Sequence, residues 1–255
     1  MASRSEILAF LEETFKTSMT ADVSYNGLQF PGREEVTRVV TGVDASTGFL
    51  MRAVASRADL AIVHHGLFWK GAEWRRIDRF GREQMRLLIE GELNLYGLHL
   101  PLDMHPEYGN NALLARSIGA EPEEPFSEFQ GSKIGFIARF PKSVTPKALI
   151  ARIEKVVGPV VCHLPFGPER ISRIGVVSGG GWSGVTDPAA NEGRIDALLT
   201  GEVIHQAYSL ARDRNIHVFG AGHYATETFG VQAIGELLEE KFGVKHTFID
   251  LPTGL

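Results

Sequence analysis

Three short stretches of the sequence carry residues that bind metals or move protons. The first is His64-His65-Gly66, directly after the apolar run Leu60-Ala-Ile-Val63. The second is His99-Leu100-Pro101-Leu102-Asp103, and the third is Gly222-His223-Tyr-Ala-Thr226-Glu227. Each follows a stretch that reads as a buried β-strand. Taken singly, each has a plain structural explanation. A histidine at a strand end is commonly a hydrogen-bonded structural residue, Asp103 can start a helical region, and Glu227 in a first helical turn is favoured by the helix dipole. Together they place imidazoles and carboxylates at three strand ends, where ligands collect in open α/β sheets. Imidazole and carboxylate without thiolate suit Zn²⁺, Fe²⁺, Mn²⁺ or Co²⁺. Five or six such groups exceed the needs of one tetrahedral zinc. Two ions ~3.5–4 Å apart with a bridging carboxylate fit the number.

Successive side chains on a strand point to opposite faces, so His64 and His65 converge only if the strand ends there, and Gly66 permits that turn. Pro101 is expected to keep His99 and Asp103 from lying one turn apart on a helix, which places them on a strand end and the loop after it. His223 and Glu227, four apart where a loop runs into a helix, can face one point. Around these stretches the pattern predicts a helix over 5–17 with Ser5 as N-cap, a strand over 38–43, a helix over 47–58, a helix over 82–90 stopped by Gly91, and a strand over 93–98. Asn26-Gly27 reads as local turn geometry. A helix over 110–117 stops at Gly119. The polar, proline-bearing Glu121-Pro-Glu-Glu-Pro125 is the best candidate for a linker.

A second block follows, with a strand over 133–140, a helix over 146–157 and a strand over 160–163. Arg173-Ile-Gly-Val-Val177 then resembles Arg38-Val-Val-Thr-Gly-Val43, and Asp196-Ala-Leu-Leu-Thr200-Gly201 resembles Asp59-Leu-Ala-Ile-Val63-His64. The separations are 135 residues (173 − 38) and 137 residues (196 − 59), which suggests an internal duplication with Thr200-Gly201-Glu202 in place of the histidine pair. A strand over 216–219, a helix over 226–242 and a strand over 245–249 complete the chain. Alternating strands and helices predict an α/β fold with largely parallel sheets covered by helices.

The chain has 255 residues, 44% hydrophobic and 22% charged, enough for one large or two small domains with a real core. With 26 Lys and Arg against 31 Asp and Glu, the net charge of −5 does not indicate a broad nucleic-acid surface. Cys162 is the only cysteine, which excludes intrachain disulfides and cysteine-rich zinc sites and suits a reducing compartment. No apolar run reaches the ~18 residues of a membrane span and the N-terminus has no signal pattern, so the expected location is cytoplasmic. Gly179-Gly180-Gly181-Trp182-Ser183-Gly184 after a strand is either a phosphate cradle or a tight, closely packed turn, and it lacks the Walker ending. Phe68, Trp69 and Trp74 can stack on a purine or be simply buried. Lys70, Arg75, Arg76 and Arg79 can meet phosphates or form a solvated face.

The set His64-His65-Gly66-Leu-Phe68-Trp69-Lys70-Gly71, His99-Leu100-Pro101-Leu102-Asp103, Gly201-Glu202 and Gly222-His223-Tyr-Ala-Thr226-Glu227 resembles the GTP cyclohydrolase 1 type 2 homologue family, the YbgI-like dinuclear metal proteins. The resemblance covers nearly the whole chain, from Asn26-Gly27-Leu28-Gln29 to Thr247-Phe-Ile-Asp250. It implies two intertwined, similar α/β/α domains, here 1–125 with 217–255 and 126–216. It further implies a ring-shaped homohexamer and two divalent ions per subunit (Zn, Fe or Mn). By position, the ligands it implies are His64, His65, Asp103, His223 and Glu227, with His99 beside the site. The expected activity is metal-dependent hydrolysis of a nucleotide or related heterocycle, with GTP first in line. His99, Glu107 and Glu202 are the candidate proton carriers. The competing expectation is a non-catalytic metal-binding scaffold or regulator with a protein or nucleic-acid partner.

Overall fold

The computed structural model describes residues 2–71 and 77–255, so Trp74, Arg75 and Arg76 of the aromatic and basic cluster lie outside the described residues. The chain divides into two compact units, 1–102 with 230–251 and 103–229 with 252–255.

The first unit is built on a five-stranded sheet in the order Lys245–Phe248, Arg38–Asp44, Leu60–His65, Asn94–Gly97, Gly27–Phe30. The first three pairings are parallel and the last is antiparallel. Leu60, Ala61, Ile62 and Val63 are all buried, which explains a continuous apolar run in place of alternation. Helices Thr47–Ala55 and Arg79–Gly91 pack Phe49, Leu50, Leu87 and Leu88 into the core of this sheet. Full burial of a side chain such as Phe49 contributes about 2–3 kcal/mol. Buried Asp59 fixes the start of two strands, its Oδ2 accepting from Thr37 N (2.9 Å), Thr37 Oγ1 (2.7 Å) and Arg38 N (2.9 Å).

The helix expected over 47–58 closes at Ala55, the one expected over 82–90 begins at Arg79, and two helix caps also differ from expectation. The first helix, Arg4–Phe15, is capped by Ser3 and not Ser5. Ser3 and Glu6 form a reciprocal capping box, whereas the Ser5 hydroxyl donates to Glu34 Oε1 at 2.9 Å. Helix Arg79–Gly91 closes on Glu92, which takes the left-handed conformation (φ 47°) one residue beyond Gly91.

The second unit has a six-stranded sheet in the order Glu121–Phe129, Ser132–Val144, Ile171–Val177, Ala197–Thr200, His217–Gly220, Cys162–Pro165. Only its two central pairings are parallel and the other three are antiparallel, so this sheet is mixed and not mainly parallel. The expected linker is the start of the edge strand Glu121–Phe129. Prolines are tolerated on an edge, where one N–H row has no ladder partner, and the register shifts between Pro122 and Glu124. The acidic run is matched by arginines across the sheet: Glu123 pairs with Arg139 and Arg173, and Glu124 with Arg173 and Arg194. The chain therefore passes between units at Leu102/Asp103, Phe229/Gly230 and Leu251/Pro252, against the expected 125/126 and 216/217. Leu114 and Ala115 of helix Asn110–Ser117 already belong to the second unit's core, and His217–Gly220 is one of its strands.

The two sheets repeat one pattern. Val39 pairs with Leu60 as Ile174 pairs with Ala197, and Gly27 pairs with Gly97 as Cys162 pairs with Gly220. Asp196 accepts from Ser172 N (2.7 Å) and Arg173 N (3.0 Å), as Asp59 does from Thr37 N and Arg38 N. Among the described residues no helix is long and apolar enough to cross a membrane.

Candidate metal centre

In the first unit, strand Leu60–His65 runs through both histidines and ends at the second. His64, His65 and His99 form a cluster whose ligand atoms all lie within 4.8 Å of one another. Ring centroids are 4.7 Å apart for His64 and His65, 5.1 Å for His64 and His99, and 5.6 Å for His65 and His99. The Trp69 ring stands edge-on to His99 at 5.1 Å. Gln29 ties the loop that follows, its Oε1 accepting from Leu67 N (2.8 Å) and Phe68 N (3.2 Å).

Every one of these imidazoles has Nδ1 committed to a protein acceptor. His64 Nδ1 meets the Leu98 carbonyl at 2.9 Å, His65 Nδ1 meets Asp44 Oδ1 at 2.8 Å, and His99 Nδ1 meets Asp22 Oδ1 at 2.8 Å. A carbonyl or an ionised carboxylate only accepts, so Nδ1 carries the proton and in the neutral ring Nε2 carries the lone pair. Buried Asp22 is itself held by Ser24 N (3.0 Å), Asn26 Nδ2 (2.8 Å) and Leu100 N (3.0 Å). Burial pushes its carboxyl up, but the bonds from His99, Ser24 and Asn26 outweigh that and hold it down at about 2. Asn26 Oδ1 also accepts from His99 N at 2.7 Å, so the Asn26-Gly27 turn does more than local geometry and fixes His99.

His99 lies in the short connection after strand Asn94–Gly97, but Asp103 is not on a loop. Leu100–Asp103 is a single helical turn, with Leu102 N donating to His99 O at 2.9 Å. Pro101 falls in its first turn, where a missing N–H costs nothing, so the proline starts the helix instead of preventing it.

In the second unit, His223 opens the short helix His223–Thr226, and Glu227 lies outside helical geometry (φ −109°, ψ 9°) before helix Thr228–Phe242. The continuous helix expected from 226 is thus broken at the carboxylate. His223 Nε2 is 3.2 Å from Glu227 Oε2 and its Nδ1 is 2.6 Å from Glu202 Oε1. The bond to Glu227 is the chief reason the imidazole is raised to about 9; burial opposes it and Glu202 adds to it. Asp103 is buried, and its Oδ1 accepts from Asn110 Nδ2 (2.9 Å) and Ser178 Oγ (3.3 Å). His223 and Glu227 belong to a second group of metal-ligating type. Two such clusters fit two divalent ions per chain, and their borderline N and O donors fit Zn²⁺, Fe²⁺ or Mn²⁺.

The sequence matches the Duf34/NIF3 (NGG1p interacting factor 3) family over residues 2–253. The chain belongs to this family. A GTP cyclohydrolase 1 type 2 homolog of Pyrococcus horikoshii is 45% identical over 254 residues, 99% of each chain. The solved structure of protein ybgI, described as of unknown function, matches with a TM-score of 0.92 at 36% identity, covering 99% of this chain and all (100%) of that one. A crystal structure from Thermus thermophilus matches at 0.87 and 33% identity, covering 99% and 100%.

Within this member of the Duf34/NIF3 family, the candidate proton carriers fall in different places. His99 lies in the first cluster. Glu202 orients His223 through Nδ1. Glu107 is exposed, with its backbone N–H donating to His105 Nδ1 at 3.2 Å, and belongs to neither cluster. Lys70 and Arg79 are exposed, Lys70 over the Tyr25 ring at 5.7 Å and Arg79 over Phe80 at 4.6 Å, as a solvated face would have them. Sequence reasoning missed Asp22 and Asp44, which bond His99 and His65, and Asn110 and Ser178, which bond Asp103; each is a single polar residue with no local signature.

Proposed function

We propose that His64, His65, Asp103, His223 and Glu227 hold two divalent cations, and that the protein is a metal-dependent hydrolase of a nucleotide or related heterocycle. The observation that carries this reading is the commitment of Nδ1 in His64, His65, His99 and His223 to a backbone carbonyl or a carboxylate. Metal-ligating histidines have this arrangement, because the acceptor fixes tautomer and ring orientation and raises ligand basicity. The His223–Glu227 pair is also of the right kind, a proton on Nε2 standing where a cation would bind both groups. Divalent ions held there would supply a water acidified to about pKa 7 and would draw an anionic substrate. The protein's own residues do the rest. Asp44 and Glu202 hold His65 and His223 in place. His99 Nε2, with Asp22 keeping the proton on Nδ1, would accept and return a proton. Half-buried Phe68 and Trp69 offer a face for a heterocycle.

The finer architecture belongs to the same reading. The matched pairings and the paired Asp59 and Asp196 support an internal duplication. The chain's repeated crossing between units supports intertwined domains, the first completed by Gly230–Leu251 from the far end of the chain. A homohexamer follows from the family resemblance. The name of the Pyrococcus horikoshii relative makes GTP the first compound to assay. The test is elemental analysis of protein purified without added metal, followed by a nucleotide hydrolysis screen with and without chelator. Two ions per chain that fall in His64→Ala and Glu227→Ala, with chelator-sensitive turnover, are expected. Unchanged metal content in both variants refutes the ligand set. Full metal loading without turnover of GTP or any other nucleotide or phosphoester leaves the scaffold reading in its place.

A further inference from the structure

We infer that the Ser178–Gly179 turn is a positioning element that sets Asp103, His223 and Glu227 for metal binding; this rests on the metal-centre reading above. The turn ends strand Ile171–Val177, and all the groups involved lie in the second unit. Ser178 serves Asp103. Its Oγ donates to Asp103 Oδ1 at 3.3 Å, and its N–H donates to Asn111 Oδ1 at 2.6 Å. Fully buried Asn111 in turn donates through Nδ2 to Ile134 O (2.7 Å) and Asp103 O (3.3 Å).

Gly179 serves the other two. Its N–H donates to Thr226 Oγ1 at 3.0 Å, one residue before Glu227. Its carbonyl accepts from Glu202 N at 2.9 Å and Thr200 Oγ1 at 3.2 Å, which anchors the acid that orients His223. The residue is left-handed (φ +56°), and a Cβ there would collide with Glu227 Oε1 and lie 2.9 Å from His223 Nε2. Glycine is thus required twice over, for its backbone and for the space the Glu227 carboxylate occupies.

The duplicated pattern shows why this strand end differs from its counterpart. Counting along the paired strands from Ile174 and Val39, Gly179 stands where Asp44 stands in the first unit. There the strand end contributes a carboxylate to His65. Here it contributes no side chain and admits the carboxylate of Glu227 instead. One position in two copies supports ligands in complementary ways.

The test uses the full-length protein stripped of metal and titrated with Zn²⁺ against a chromophoric chelator, with Co²⁺ spectra as a second readout. Gly179→Ala and Ser178→Ala are compared with Gly180→Ala, a control in which the added Cβ meets nothing within 4 Å and φ is −77°. Zinc affinity is expected to fall by roughly 10- to 100-fold in Gly179→Ala and by about tenfold in Ser178→Ala, the range for outer residues of a metal site. Both should shift the Co²⁺ bands, and Gly180→Ala should match wild type. A merely structural turn lowers the melting temperature but leaves the affinity and spectrum of folded protein unchanged, and that result overturns the inference. Should Gly179→Ala fail to fold, Ser178→Ala decides, and wild-type zinc affinity in it is equally fatal. A wild type that takes up no zinc overturns the metal reading itself, before any variant is compared.

Discussion

Replacing Asp44 is the sharpest probe of how the first cluster is held. Its Oδ1 lies 2.8 Å from His65 Nδ1, with side-chain exposures of 40% for Asp44 and 19% for His65. Asp44→Ala removes a charge-assisted bond, a class that contributes about 1.5–3 kcal/mol when well shielded. Solvent reaches this pair, so the lower half of that range applies. The loss has two sources. The imidazole becomes able to place its proton on either nitrogen, and the ring turns more freely about its outer torsion. Both penalise the metal-bound state, in which Nε2 must be deprotonated and aimed. A loss of about 1.5–2.2 kcal/mol corresponds to roughly 10- to 40-fold weaker zinc binding. Asp44→Asn keeps an acceptor oxygen and should lose about half as much. Because the carboxylate is partly exposed and its removal opens no core cavity, the fold should be destabilised by less than about 0.5 kcal/mol. Competition titration of the apo-protein measures the affinity, and urea unfolding of the same samples measures the stability. Wild-type zinc affinity in Asp44→Ala would show that the contact does not orient a ligand. A large loss of stability with unchanged affinity would make Asp44 a structural residue.

Other consequences follow from the same contacts. His99→Ala should keep both ions by elemental analysis while lowering turnover by 10²- to 10⁴-fold, the range for loss of a proton carrier, and equal losses of metal and turnover would make His99 a ligand instead. Asp59→Asn should cost about 2 kcal/mol at pH 7, because it weakens three bonds at the start of two strands. Burial raises the Asp59 carboxyl, but the Thr37 and Arg38 donors outweigh it and depress the folded value below the ordinary range. The stabilisation is therefore complete above about pH 4–5 and lost as pH falls through the folded value, so the wild-type advantage in urea midpoint should shrink only below that window. A constant difference down to pH 2 would contradict this. Light scattering should return six times the 28.0 kDa chain mass, and a stable monomer at micromolar concentration refutes the hexamer.

What the sequence made legible was set by range. Strand Leu60–His65 and helix Pro146–Val157 announce themselves through a continuous apolar run and through a Thr145 cap with proline at the first turn, signals contained within a few residues. The edge strand Glu121–Phe129 does not. Its two prolines and three glutamates read as a linker until Arg139, Arg173 and Arg194, on other parts of the chain, neutralise the acids. Pro101 was misleading in the same way. A proline breaks a helix from its interior and starts one from its first turn, and which applies depends on where the turn begins.

The candidate site divides along the same line. His64, His65, His99, Asp103, His223 and Glu227 were visible because each sits at or shortly after the end of an apolar strand, so local sequence fixes their place. Their supports were not. Asp44 is 21 residues from His65 and Asp22 is 77 from His99, and a lone aspartate at such a distance has no local signature. One signal could have found part of this shell. The matched strand pairings align Arg38-Val-Val-Thr-Gly-Val-Asp44 with Arg173-Ile-Gly-Val-Val-Ser-Gly179 from the first residue to the last. An aspartate at the end of one copy and a glycine at the end of the other marks a strand end whose demands differ between the two. The glycine is needed where an incoming carboxylate takes the space, and the aspartate where an imidazole needs one. The resemblance between the two stretches thus turns a long-range contact into a difference between two aligned positions, which a single sequence already contains.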